Sequence, residues 1–196
     1  MSYYFAIVGT KDNPLFEHEF GTFRQGGDGI ARFRDDARHM NQFVVHSSLD
    51  MVEELQWTTG QMYLKNIDRF HTSYISAFLT PTNIKFLLLT CPDPTSSTLL
   101  PTPVPTPSST ASTASLSRST TASSITNTTA AAGSGSAYAT SYNPTAPATE
   151  DAIKNFFMDV FDAFVKTSMS PFYALDRPIT SPIFRARVAA SAKKYL

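Results

Sequence analysis

Cysteine is almost absent from this sequence: 196 residues hold one, Cys91. A lone thiol closes no internal disulfide, so the fold must stand on its core. An excess of either charge is missing too. Sixteen Lys and Arg balance sixteen Asp and Glu, which leaves neither the basic footprint of a nucleic-acid binder nor a polybasic membrane patch. No stretch approaches the roughly 18 apolar residues of a membrane-spanning helix. Residues 3–9 have no basic region ahead of them and no cleavage site behind, so they do not read as a secretory leader. The expectation is a soluble, cytoplasmic chain. Charge of either sign is itself scarce, 16% of residues, where about a quarter is usual.

That scarcity is local. Residues 93–149, which include "TPVPTPSSTASTASLSRSTTASS", are about three quarters Ser, Thr, Pro and Ala, with Asp93 and Arg118 as their charges. Such a segment has too little apolar surface to offset an ordering cost of about 1–2 kcal/mol per residue. It is expected to be a disordered insertion. The stretch after it is too short for a core of its own. Residues 1–92 and 150–196 are therefore expected to build one domain with 93–149 as a surface loop, whose closure costs only a logarithm of its length. Thr102 and Thr106 precede prolines and are candidate phosphorylation sites. Asn127 begins an Asn-Thr-Thr glycosylation pattern, a motif common by chance.

What remains is patterned. Residues 3–8 form an apolar, aromatic run suited to a strand buried on both faces. "KDNP" supplies a turn. Residues 15–20 follow as a second strand, with Phe16, His18 and Phe20 on one face and Leu15, Glu17 and Glu19 on the other. From about 34 to 57 the period turns helical: Met40, Phe43, Val44, Met51, Val52 and Leu55 recur at three and four, with Ser47 and Ser48 completing the stripe. Strands are expected at 61–68, 72–80 and 83–91, joined by the short turns "RFHT" and "TPTN". Beyond the insertion, Ile153, Phe156, Phe157, Val160, Phe161, Phe164 and Val165 mark a helix capped by Thr149. Ser181 and Pro182 start the last helix, with Phe184, Val188 and Tyr195 facing inward. The order is β-β-α-β-β-β-α-α, an α+β fold. An antiparallel five-stranded sheet with one helix on one face and two on the other is the economical layering.

Chemistry is hard to find in this pattern. His39 and His46 share a helix but have no third ligand at metal spacing, and read as solvated histidines. Cys91 ends a strand with no activating pattern beside it. The glycines of "GTFRQGGDG" lead into no phosphate-loop lysine. Asp50, in "HSSLDMVEEL", precedes Glu53 and Glu54. On the residues alone it is either part of a solvated helix face or part of an acidic patch that docks a partner.

The blocks "YYFAIVGTKDNPLFEHEF", "RHMNQFVVHSSLDMVEE", "MYLKNIDRF" and "EDAIKNFFMDVFDAFVKTSMSPFY" resemble successive blocks of the sedlin family, small subunits of the TRAPP vesicle-tethering complexes. The resemblance covers all but the insertion and extends to polar positions such as Asn41, Gln42, Lys154 and Asn155. It implies a longin-like (SNARE-like) fold. It implies a non-catalytic adaptor subunit that docks a core neighbour and larger complex-specific subunits. Such a complex supports Rab-family GTPase activation in ER-to-Golgi and Golgi traffic and in autophagy. No cofactor and no metal are implied, and membranes are reached through the complex alone. Carried to this sequence, the resemblance makes Asp50, with His46, Glu53 and Glu54, a partner-binding patch, and makes Ser76, Phe86 and Val188 structural positions. A regulatory or adaptor small chain of longin type acting outside TRAPP is the alternative. An enzyme using Cys91 with His39, His46 or His71 is the third reading, and it requires one of those histidines near the thiol.

Overall fold

Residues 3–8 and 86–89 are apolar without a break, and the sheet explains both. A computed structural model describes residues 1–92 and 146–196. Its strands are β1 (Ser2–Val8), β2 (Pro14–Gly21), β3 (Tyr63–Phe70), β4 (Ser73–Leu79) and β5 (Lys85–Cys91). They pair antiparallel in the order β2-β1-β5-β4-β3. β1 and β5 are thus inner strands, and alternate side chains enter two different cores. Tyr3, Phe5 and Ile7 join Phe86 and Leu88 on one face, while Tyr4, Ala6 and Val8 join Leu87 and Leu89 on the other. The turns between strands are set by Asp12, His71 and Asn83, which adopt the left-handed region at φ 56°, 52° and 58°. These residue types tolerate it better than most.

Helices cover both faces. α1 (Asp35–Arg38), α2 (Asn41–Ser47) and α3 (Leu49–Leu55) precede β3, and α4 (Pro147–Ser168) and α5 (Pro182–Tyr195) follow β5. Val44, Val45, Leu49 and Val52 seal the face of Ala6 and Leu87. The opposite face is aromatic. Phe156 and Phe157 of α4 and Phe184 and Val188 of α5 close over Phe5, Phe78 and Phe86. Phe5 meets Phe156 edge-on at 5.4 Å, and Phe78 stacks on Phe157 at 5.8 Å; such pairs add about 0.5–1.5 kcal/mol beyond the area they bury. This is the expected layering, and the described residues on both sides of the insertion fall in a single unit. Thr102, Thr106 and Asn127, and 93–145 of the insertion, lie outside the described residues.

Four local expectations need correction. The single helix expected at 34–57 is three short segments. Its buried stripe is also rotated: Asn41, Val44, Val45, Ser48, Leu49 and Val52 face inward, whereas Met40, Phe43, Ser47 and Met51 are exposed. Both stripes have helical spacing, but the small and β-branched set lets the helix lie close on the sheet and the bulky set does not. Leu15 does not share a face with Glu17 and Glu19. The β1–β2 register shifts between Ile7 and Val8, and this bulge turns Leu15 into the core beside Phe16. α4 starts at Pro147 after Ala146 rather than behind Thr149, which is buried in the first turn. Proline, with φ preset and no N–H to satisfy, suits that first position. At α5 the expectation holds: Ser181 accepts the Phe184 N–H at 3.4 Å, with Pro182 at the first position.

Candidate functional site

The acidic residues of the first helical layer depend on how α2 meets α3. Ser48 sits between the two with helical angles. Its N–H donates to the Val44 carbonyl at 3.2 Å, and its own carbonyl accepts from the Val52 N–H at 3.2 Å. The helical face therefore runs through the junction. Spacing of three and four places His46, Asp50, Glu53 and Glu54 along one outward strip, and all four are exposed. Two aromatics bracket it. Phe43 is 66% exposed seven residues before Asp50, and Trp57 is 85% exposed seven residues after it. Met51 stands beside them, also exposed. Apart from Glu53, the carboxylates of this strip and the unburied aromatic side chains around it bury nothing and fill no part of the core. The strip has the composition of a contact surface, where Trp and other aromatics carry most of the energy.

One member of the strip has a second attachment. Lys85 opens β5 pointing under α3 and is only 2% exposed. Its Nζ donates to Asp12 Oδ1 at 2.7 Å and lies 3.9 Å from Glu53 Oε1. A buried ammonium needs such partners, because leaving it unpaired costs several kcal/mol or more. Glu53 is thus tethered at one end of the strip to the turn between β1 and β2.

Edge strand β2 holds the rest of this layer. Arg38 pairs with Glu19 at 2.7 Å, and Gln42 donates to Glu17 at 2.9 Å. Beneath them Tyr4 is buried, and burial together with the Glu17 charge pushes its phenol above the ordinary tyrosine range. The hydroxyl stays neutral there.

The other sequence candidates lie elsewhere. Ser76 and Phe86 are buried in β4 and β5, and Val188 has no exposed surface. Phe86 touches the rings of Phe5, Phe78, Phe161 and Phe164. Cys91 accepts a hydrogen bond from Ser73 Oγ at 3.0 Å. Of the three histidines, His71 lines the same groove as Cys91, and its ring packs against Phe70 at 4.5 Å. Among the described residues no group of three His, Cys, Asp or Glu is placed to hold a metal ion, and no helix is long and apolar enough to cross a membrane. The sequence reading missed Phe43, Trp57 and Lys85 at this site. The signal for Phe43 was the presence of two competing helical stripes in one segment, only one of which could be inside.

Comparison with known proteins agrees across the whole chain. A family model described as Sedlin matches residues 7–194. The chain is 35% identical to the transport protein particle 20 kDa subunit of Schizosaccharomyces pombe, with all of both chains covered. It is 29% identical to a probable trafficking protein particle complex subunit 2 of Drosophila melanogaster, covering 100% of this chain and 97% of that one. It is 26% identical to trafficking protein particle complex subunit 20 of Saccharomyces cerevisiae, covering 100% and 99%.

Proposed function

This chain belongs to the sedlin family, and from that premise we propose that it is a non-catalytic adaptor subunit of a TRAPP complex. In this reading it supports Rab-family GTPase activation and vesicle tethering in ER-to-Golgi and Golgi traffic and in autophagy. It contributes no reacting group. It reaches ER–Golgi intermediate and Golgi membranes as part of the complex. Its larger complex-specific partners dock on the α2–α3 strip.

The observation that carries the docking assignment is the outward strip itself: His46, Asp50, Glu53 and Glu54 exposed between Phe43 and Trp57. Carboxylates there steer and orient a basic partner, and the aromatics supply buried area once it arrives. The relatives' names supply the kind of assembly.

The test is recovery of partners by the tagged chain from its own cells, read by mass spectrometry, beside an Asp50→Ala chain. The expected result is recovery of TRAPP subunits by the unmodified chain and selective loss of the large ones with Asp50→Ala. Equal recovery by both removes Asp50 as the contact while keeping the complex. Absence of TRAPP subunits from both, with a folded bait, favours a longin-type small chain acting outside TRAPP.

A further inference from the structure

The last helix, α5, carries charge opposite to that of α3, with no acidic residue of its own. From residue 176 onward the sequence has five cations, Arg177, Arg185, Arg187, Lys193 and Lys194, against one acid, Asp176, whose carboxylate accepts from the Thr10 N–H and hydroxyl. Three of the cations have an occupation or lie away from the others. Lys194 pairs with Asp159 at 3.6 Å, Arg185 lies 5.2 Å over the Phe16 ring, and Lys193 follows near the end of α5. Arg177 and Arg187 have no ion pair and no side-chain hydrogen bond among the described residues. Both line one cleft of about 680 Å³, between the end of α4, the connection over residues 169–181 and the start of α5.

The cleft is apolar inside and basic at the rim. Ile179 and Phe184 belong to the core cluster and reach into its lining. Two apolar side chains stand out beside it, Phe172 at 95% and Ile183 at 71% exposure. Tyr173 lines the same cleft, with its ring edge-on to Phe164 at 6.1 Å.

We propose that this cleft is a second docking site, which takes an acidic protein segment carrying an apolar side chain between its carboxylates. Two unpaired guanidiniums match carboxylates in geometry as well as charge. Phe172 and Ile183 offer the apolar contact that exposed charge pairs alone lack, since such pairs contribute little by themselves. The concave shape favours an inserted side chain over a membrane surface. The site lies on the opposite face of the sheet from Asp50 and does not depend on the reading of that strip.

The experiment uses the full chain and a fluorescein-labelled peptide of about a dozen residues, alternating Glu and Asp with Leu and Phe, followed by anisotropy at rising salt. The comparisons are the same peptide with Gln and Asn for its acids, and phosphatidylcholine vesicles containing phosphatidylserine. The acidic peptide is expected to bind and to weaken with salt. Binding falls about tenfold in the Arg177→Glu/Arg187→Glu chain and falls again in Ile183→Ser, with melting unchanged because all three sites are exposed. A peptide with Lys in place of its acids binds the doubly substituted chain better than the unmodified one. Asp50→Ala binds the acidic peptide as the unmodified chain does. Equal binding by the unmodified and doubly substituted chains overturns the proposal, as does equal binding of the amide peptide. Vesicle binding that needs both arginines, with no peptide binding, also overturns it and assigns the face to anionic lipid.

Discussion

Single side chains in this protein are held by very different margins. Val188 has no exposed surface and sits among Phe184 and the aromatic residues of α4. A carboxylate there has no partner in reach of that apolar cluster, so Val188→Asp is expected to cost several kcal/mol. It should yield insoluble or unfolded chain rather than a folded protein that fails to bind. Val188→Ala, a loss of about 1–3 kcal/mol by analogy with other deletions of core methyl groups, should stay folded and melt lower. A soluble Val188→Asp chain with unchanged melting would contradict this. His18 is a gentler case. It is half-buried between Phe16 and Phe20 on β2, with Arg185 of α5 3.4 Å away from its ring nitrogen. Burial first, and the Arg185 charge second, lower its pKa below 6.5, with Glu19 opposing them. The unfolded chain therefore binds the proton more readily than the folded one. Stability from this residue is complete above about pH 6.5 and is lost as pH falls through the folded value. The slope of melting temperature between pH 7 and 5 should be shallower in His18→Gln than in the unmodified chain.

Elements are tied to one another by groups that periodicity does not reveal. The buried Lys85 joins the β1–β2 turn to α3 through Asp12 and Glu53. Its two partners are half-exposed or more, so water can take them over if the lysine goes. The reverse does not hold, since an ammonium 2% exposed cannot be rehydrated. Asp12→Asn, which keeps a side chain at ease with positive φ, is expected to cost about 1–3 kcal/mol. Lys85→Met should cost less, and chemical denaturation of the two variants measures the difference. Here lies the limit of what could be read from the residues. The five strands, their antiparallel layering and the capping of α5 follow from apolar runs, turn residues and Ser181-Pro182. The rotation of α2–α3 does not follow, because Phe43 and Val44 satisfy the same spacing. Which of them is inside is decided by how near the helix must lie to Ala6 and Leu87, a distance that no local pattern encodes. Phe43 entered the site as a consequence of that rotation. Leu15 was misplaced for a similar reason, since a bulge depends on both paired strands.

For the molecule as a whole, the segments 1–92 and 146–196 lie in one compact unit. Replacing 93–145 with about a dozen Gly and Ser residues should therefore preserve the fold and raise stability by about 1 kcal/mol, the difference in closure entropy between the two lengths. A calorimetric scan of the shortened chain measures it, and a lower melting temperature would mean that the segment contributes contacts. The layering has another consequence, which belongs to synthesis. All five strands and the α1–α3 cover are complete once Cys91 has been made. The cover for the aromatic face, with Phe5, Ile7 and Phe86, waits for α4. Residues 92–168 take about 4–15 s to add at roughly 5–20 residues per second. Through that interval a growing chain can pair its strands while one side of the sheet has nothing to bury against. Ribosome pausing within this stretch prolongs the interval in which the phenylalanines of that face stand bare.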